Sequence, residues 1–236
     1  MIHIPEKIYE AGEIGETIET AASKLFEFEI LTDSGYSVLL EEGRRLKVEK
    51  KSTSWKIFID RDNPIVFRET YDKNGDSINP RITCPGISVV QDDFSHPPFR
   101  ALDIAIEIDN KEQKPIARWH LDWANTTNNV TQPGPLVHLQ YGGHNAGYRE
   151  LDHPLKVPRW CHPPMDLVLM CEVMAANFYE EQWQDLREDQ NWNFAVSTAQ
   201  QFCYSSYYRK FIAGFSTRSK SILHSMWATE WQRNSQ

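Results

Sequence analysis

Arg118, His120 and Asp122 alternate along Ala117–Trp123 (ARWHLDW), and His138 lies in the next alternating run, Leu136–Tyr141 (LVHLQY). Metal-free cleavage of a phosphodiester needs a base, an acid and a cation to meet charge building on the phosphoryl oxygens. Two imidazoles and a guanidinium supply that trio, and a neighbouring carboxylate orients an imidazole and favours its protonation. On this reading His120 and His138 share the proton transfers, Arg118 steadies the developing charge and Asp122 orients His120. Gln140, beside His138 in sequence order, is a candidate substrate-binding group. So are His144 and Arg149, from the glycine-rich stretch that follows Tyr141 (GGHNAGYR). A plainer account competes with this one: polar residues belong on the water-facing side of a half-exposed antiparallel sheet without doing any chemistry.

These groups work together only if strands place them on one surface. Ala101–Asp109 (ALDIAIEID) and Ala117–Trp123 both alternate apolar with polar residues, and the NKEQKP between them suits a hairpin turn. Setting Ile104 against Leu121 also sets Leu102 against Trp123, Ile106 against Trp119 and Ile108 against Ala117. The other face then pairs Glu107 with Arg118, Ala105 with His120 and Asp103 with Asp122. A slip of one residue would mix the two faces, so the register is strongly specified. Leu136–Tyr141 is the expected third strand, with His138 and Gln140 on the polar side. Its connection from Trp123, ANTTNNVTQPGP, is long for a hairpin.

Elsewhere the period of the apolar residues assigns the elements. A helix is expected over Glu13–Phe28, followed by strands at Tyr36–Glu41, Arg45–Lys50, Trp55–Asp60 and Ile65–Tyr71. Lys73-Asn74-Gly75-Asp76 is a turn, since Asn-Gly accepts positive φ readily. Residues 77–100, broken by prolines, read as surface loop. Beyond Pro158 the spacing becomes helical: a stripe from Leu167 to Phe178, a short helix over Glu181–Glu188, a longer one from Phe194 to Ala213 ended by Gly214, and a last one over Ser219–Trp231. The fold class is therefore α+β, an N-terminal helix and a meander-like antiparallel sheet packed against a C-terminal helical bundle. Two parts are expected, residues 1–157 and 158–236, forming one compact body with Trp160 plugging the junction.

Composition narrows function by exclusion. Lys and Arg total 25 against 33 Asp and Glu, a net charge of −8 that disfavours general DNA binding. No apolar run approaches a membrane span, and the N-terminal residues lack a basic region followed by an apolar one, so a cytoplasmic protein with no membrane contact is expected. Cys84, Cys161, Cys171 and Cys203 show no paired spacing and read as free thiols. His120, Asp122, His138, His144 and the Cys161-His162 pair offer metal donors, but their spacing does not lock them onto one ion, and neither metal nor cofactor is expected. Phosphate-cradling glycine loops and a nucleophile elbow are absent. Arg218 and His224 resemble the Arg–His element of HEPN-type ribonucleases. The resemblance covers those two positions and implies an RNA-cleaving pair on a late helix. Against the hydrolase reading stands a non-catalytic subunit that docks through the aromatic C-terminal helices, with a protein partner or self-association expected and RNA the other candidate ligand.

Overall fold

The computed structural model describes residues 6–124, 126–127, 130–142, 157–216 and 218–231. The chain enters through two helices. In α1 (Ala11–Glu27) Glu10 and Glu13 form a reciprocal capping box, and Ile14, Ile18, Ala21, Ala22 and Leu25 are buried. In α2 (Asp33–Glu49) the Thr32 side chain accepts a hydrogen bond from the Gly35 amide. The two helices pack closely enough that a Cβ at Gly15 would lie 2.5 Å from the Gly43 carbonyl oxygen.

Helix α2 replaces the two strands expected at Tyr36–Glu41 and Arg45–Lys50. Its buried positions, Gly35, Leu39, Glu42, Gly43 and Leu46, recur at helical spacing. Val38 and Val48 looked like strand residues, yet Val48 is exposed and Val38 only partly covered. Gly43 looked like a break, but it sits inside the helix, where a larger side chain would collide with α1.

The sheet is antiparallel throughout. Its main path runs β1 (Ser54–Ile59), β4 (Ser77–Val90), β5 (Phe99–Asn110), β6 (Pro115–Trp123), β9 (Val137–Tyr141) and β10 (Trp160–Cys161). Two short strands, β2 (Ile65–Val66) and β3 (Thr70–Tyr71), also pair with β4. A separate two-stranded ribbon joins β7 (Thr126–Thr127) to β8 (Val130–Thr131). The expected strand Ile65–Tyr71 is thus two short ones, and the Asn74-Gly75 turn is present, with Gly75 at φ 83°.

Strand β4 overturns the expectation of a loop over residues 77–100. Its prolines are placed where a missing N–H does little harm. Pro80 lies between the stretches of β4 that pair with β2 and β3, and its carbonyl accepts from the Phe67 amide. Pro85 sits in the irregular step between Thr83 and Gly86, where the register against β5 shifts.

The C-terminal helices are α3 (Leu167–Phe178), α4 (Glu180–Leu186), α5 (Gln190–Phe215) and the single turn α6 (Ile222–Ser225). Helix α3 buries five successive residues, Leu167 to Cys171, rather than one stripe, because it lies inside the body with α1 and α5 around it and β4 and β5 beneath. Helix α5 runs through Gly214 instead of ending there. The expected helix over Ser219–Trp231 is α6 followed by one 3-10 turn, Ala228–Glu230. One buried apolar cluster takes residues from the N-terminal helices, the sheet and the C-terminal helices alike. Trp160, expected to plug the junction, is exposed on the edge strand β10.

Candidate functional site

Pairing of β5 with β6 follows the register read from alternation: Asp103 opposite Asp122, Ile104 opposite Leu121, Ala105 opposite His120, Ile106 opposite Trp119, Glu107 opposite Arg118 and Ile108 opposite Ala117. Strand β9 continues the ladder, with His138 opposite Asp122 and Gln140 opposite His120. Because directly paired residues project to the same side, Arg118, His120, Asp122, His138 and Gln140 share one face. Strand β4 adds Arg81 and Thr83, which pair with Glu107 and Ala105.

This face is not the water-facing surface that the plainer reading expects. Glu107 is 0% exposed, Arg118 and His120 5% and His138 3%. Ion pairing makes the burial tolerable. Glu107 accepts from Arg118 Nε at 3.3 Å and from Arg81 Nε at 3.2 Å, and Arg61, in the β1–β2 connection, lies 3.8 Å away. Arg81 reaches Asp109 as well, at 3.1 Å. Among the described residues, the partners of Glu107, Arg118 and His120 come from the strands, from Arg61 or from Gly142, and His138 is also influenced by the Pro135 backbone and by Arg159.

From Arg118 a chain of contacts leads to the carboxylates. Arg118 Nη1 donates to the Gly142 carbonyl at 2.9 Å and lies 2.8 Å from His120 Nδ1. Nδ1 also lies 3.0 Å from the Gly142 carbonyl oxygen, and the other ring nitrogen, Nε2, carries the proton that faces the Asp122 carboxylate. That Nε2 lies 2.9 Å from Asp122 Oδ2, and His138 Nε2 approaches the same oxygen to 4.0 Å. Asp122 is the open member, with a quarter (25%) of its side chain exposed.

Two groups here have displaced proton affinities. Burial raises the Asp103 carboxyl to about 6, and the facing Asp122 charge pushes the same way, against the opposing pull of Arg118 and His120. Burial holds the His138 imidazole below its ordinary value, which Asp122 only partly offsets. His138 Nδ1 and Asp103 Oδ1 are both buried without a hydrogen-bond partner among the described residues.

The structure therefore gathers Arg118, His120, Asp122, His138 and Gln140, while His144 and Arg149 lie outside the described residues. Cys161 pairs with His138 across β9 and β10, but its thiol lies 3.1 Å from the Tyr207 hydroxyl, and the His162 ring contacts the Pro163 carbonyl. Among the described residues no three His, Cys, Asp or Glu side chains are arranged to hold a metal ion. His224 is exposed on the one-turn α6 beside Glu230, so no long helix among the described residues carries it and Arg218 together. Glu107, Arg81, Arg61 and Asp103 complete the cluster and were not singled out from sequence. The pairing of Asp103 with Asp122 was already written in the alternation, whereas Arg81 was hidden in a segment read as loop.

The chain matches no protein-family model, no curated protein and no solved structure. Among the described residues no helix is long and apolar enough to cross a membrane.

Proposed function

We propose that this protein is a small hydrolase of phosphodiester bonds that works by acid–base chemistry on the polar face of β5, β6 and β9. The observation that carries the reading is the chain Arg118–His120–Asp122 with His138 converging on the same Asp122 oxygen. His138, kept neutral by burial, suits the base that takes a proton from water. His120, through Nε2 2.9 Å from Oδ2, fixes the position of Asp122. Arg118, whose Nη2 has no partner among the described residues, is the group that would steady charge on a phosphoryl oxygen.

The test is turnover of bis(4-nitrophenyl) phosphate and of a labelled RNA oligonucleotide by the wild-type chain, His138→Gln and His120→Gln. Loss of one proton-transfer group is expected to lower the rate by about 100-fold or more. Wild-type protein inert toward both substrates, or variants as active as wild type, would defeat the reading.

A second reading has its own observation. Tyr208, Ile212 and Phe215 on α5 and Leu223 on α6 are all exposed, which suits docking to a protein. Light scattering coupled to size exclusion separates the two: self-association abolished by Phe215→Ser favours an interaction subunit, and a monomer unaffected by that change does not.

A further inference from the structure

Asp103 and Asp122 face one another across β5 and β6. Two carboxylates so placed, with burial on one side, repel unless a proton lies between them. The neighbours decide which of them keeps the charge. His120 Nε2–H points its proton at Asp122 Oδ2, favouring the ionised form there. Among the described residues Asp103 receives no such donor, and its Oδ1 is buried with no partner.

On the β4 side Asp103 is paired with Gly86, and a Cβ built at Gly86 would meet nothing within 4 Å. Open space therefore flanks this carboxyl. His138, 3% exposed, approaches the pair from β9. The other charged or titratable groups around Asp103 are Arg118 and His120 from β6, the Cys84 thiol from β4, and Glu107 with its Arg81 partner further along the same face.

We propose that the Asp103–Asp122 carboxyl pair, sharing one proton beside the space left by Gly86, is the acid of this site, with Asp103 positioning the proton that Asp122 delivers. The inference rests on the hydrolase reading above. In the step, His138 takes a proton from water as the water oxygen bonds to phosphorus. The bond from phosphorus to the leaving oxygen breaks, and that oxygen takes the proton held by the pair. The nitrogen of His138 that took the proton then hands it back to the carboxyl pair through a bridging water, since Nε2 and Asp122 Oδ2 are 4.0 Å apart.

The experiment has two arms on the full chain. In the first, NMR of the protein labelled with 13C at the aspartate carboxyls follows titration of wild type, Asp103→Asn and Asp122→Asn. Coupled groups titrate as a pair. Asp103 is expected to titrate well above the exposed aspartates, and its step should move down when Asp122 is replaced. A step at the ordinary carboxylate position, or one indifferent to Asp122→Asn, overturns the proposal, and the wild-type titration alone decides the first point if a variant does not fold. In the second arm, bis(4-nitrophenyl) phosphate turnover is followed against pH. Wild type should lose activity as the pair gives up its proton, Asp103→Asn should be about 100-fold slower and lack that limb, and Gly86→Leu should raise KM by filling the space beside the pair. A displaced, shared step without turnover sinks the hydrolase reading and the acid role with it. Turnover whose pH limb survives Asp103→Asn sinks the acid role alone.

Discussion

On one side of the β5–β6 ladder, Ile104, Ile106, Ile108 and Leu121 join the apolar cluster that includes residues of α1, α3 and α5. On the other side, Glu107, Arg118 and His120 are buried to the same degree among charges of their own. The first kind of burial scales with apolar area and tolerates small errors of shape. The second is favourable only when each charge has its counter-charge in place, since an orphaned ion keeps its full desolvation cost. The two sides should therefore fail differently, and the most sensitive position should be a charge with several partners.

Glu107 is that position, because it answers Arg118, Arg81 and Arg61 at once. Glu107→Ala is expected to cost about 3–5 kcal/mol, the scale for breaking a buried ion pair, read from urea unfolding at neutral pH. A loss under 1 kcal/mol would mean that the arginines find other partners. Leu121→Ala, on the opposite face of the same ladder, should cost about 3 kcal/mol, as typical for a buried leucine. Equal or greater loss at Leu121 would reverse the contrast drawn here.

Asp166 sharpens the comparison, as a carboxyl buried on the apolar side. It caps α3 by accepting from the Leu169 amide, its Oδ2 has no partner among the described residues, and burial raises it to about 6. A raised value means that the folded state binds this proton more tightly than the unfolded chain does. Stability should then fall as pH climbs through the interval between the ordinary aspartate value and about 6, and level off above it. Asp166→Asn keeps the capping acceptor and removes the charge. It should raise stability at pH 8 by up to about 3 kcal/mol, the equivalent of a two-unit displacement, and by nothing near pH 4. Thermal melts at the two pH values check the sign. The smallest effect belongs to the exposed end of α5: Phe215→Ser should change unfolding free energy by no more than about 0.5 kcal/mol while improving solubility.

Legibility in the sequence followed the strength of local constraint. Ala101–Asp109 and Ala117–Trp123 alternate on both faces, so one register satisfies every pair, and the structure adopts it. Gly35-x3-Leu39-x3-Gly43-x2-Leu46 is a helical face whose two glycines carry no apolar signal, so α2 resembled broken strands. Pro80 and Pro85 read as breaks because the short partners and the register shift that accommodate them lie elsewhere in the chain. Asp103 was visible as the residue facing Asp122, but its displaced proton affinity follows from burial, which pairing alone does not disclose.

Alternation along residues 101–141 determined by itself which side chains share a surface: imidazoles, guanidinium and carboxylates on one side, isoleucines and tryptophans on the other. Whether that polar surface meets water was decided only in three dimensions. Arg81 and Arg61 reach Glu107 from β4 and the β1–β2 connection, and the Gly142 carbonyl closes over Arg118 and His120. Side-chain period is set by the geometry of a single strand, whereas the cost of burying a charge depends on counter-charges that arrive from distant segments, and no local pattern encodes where those will be.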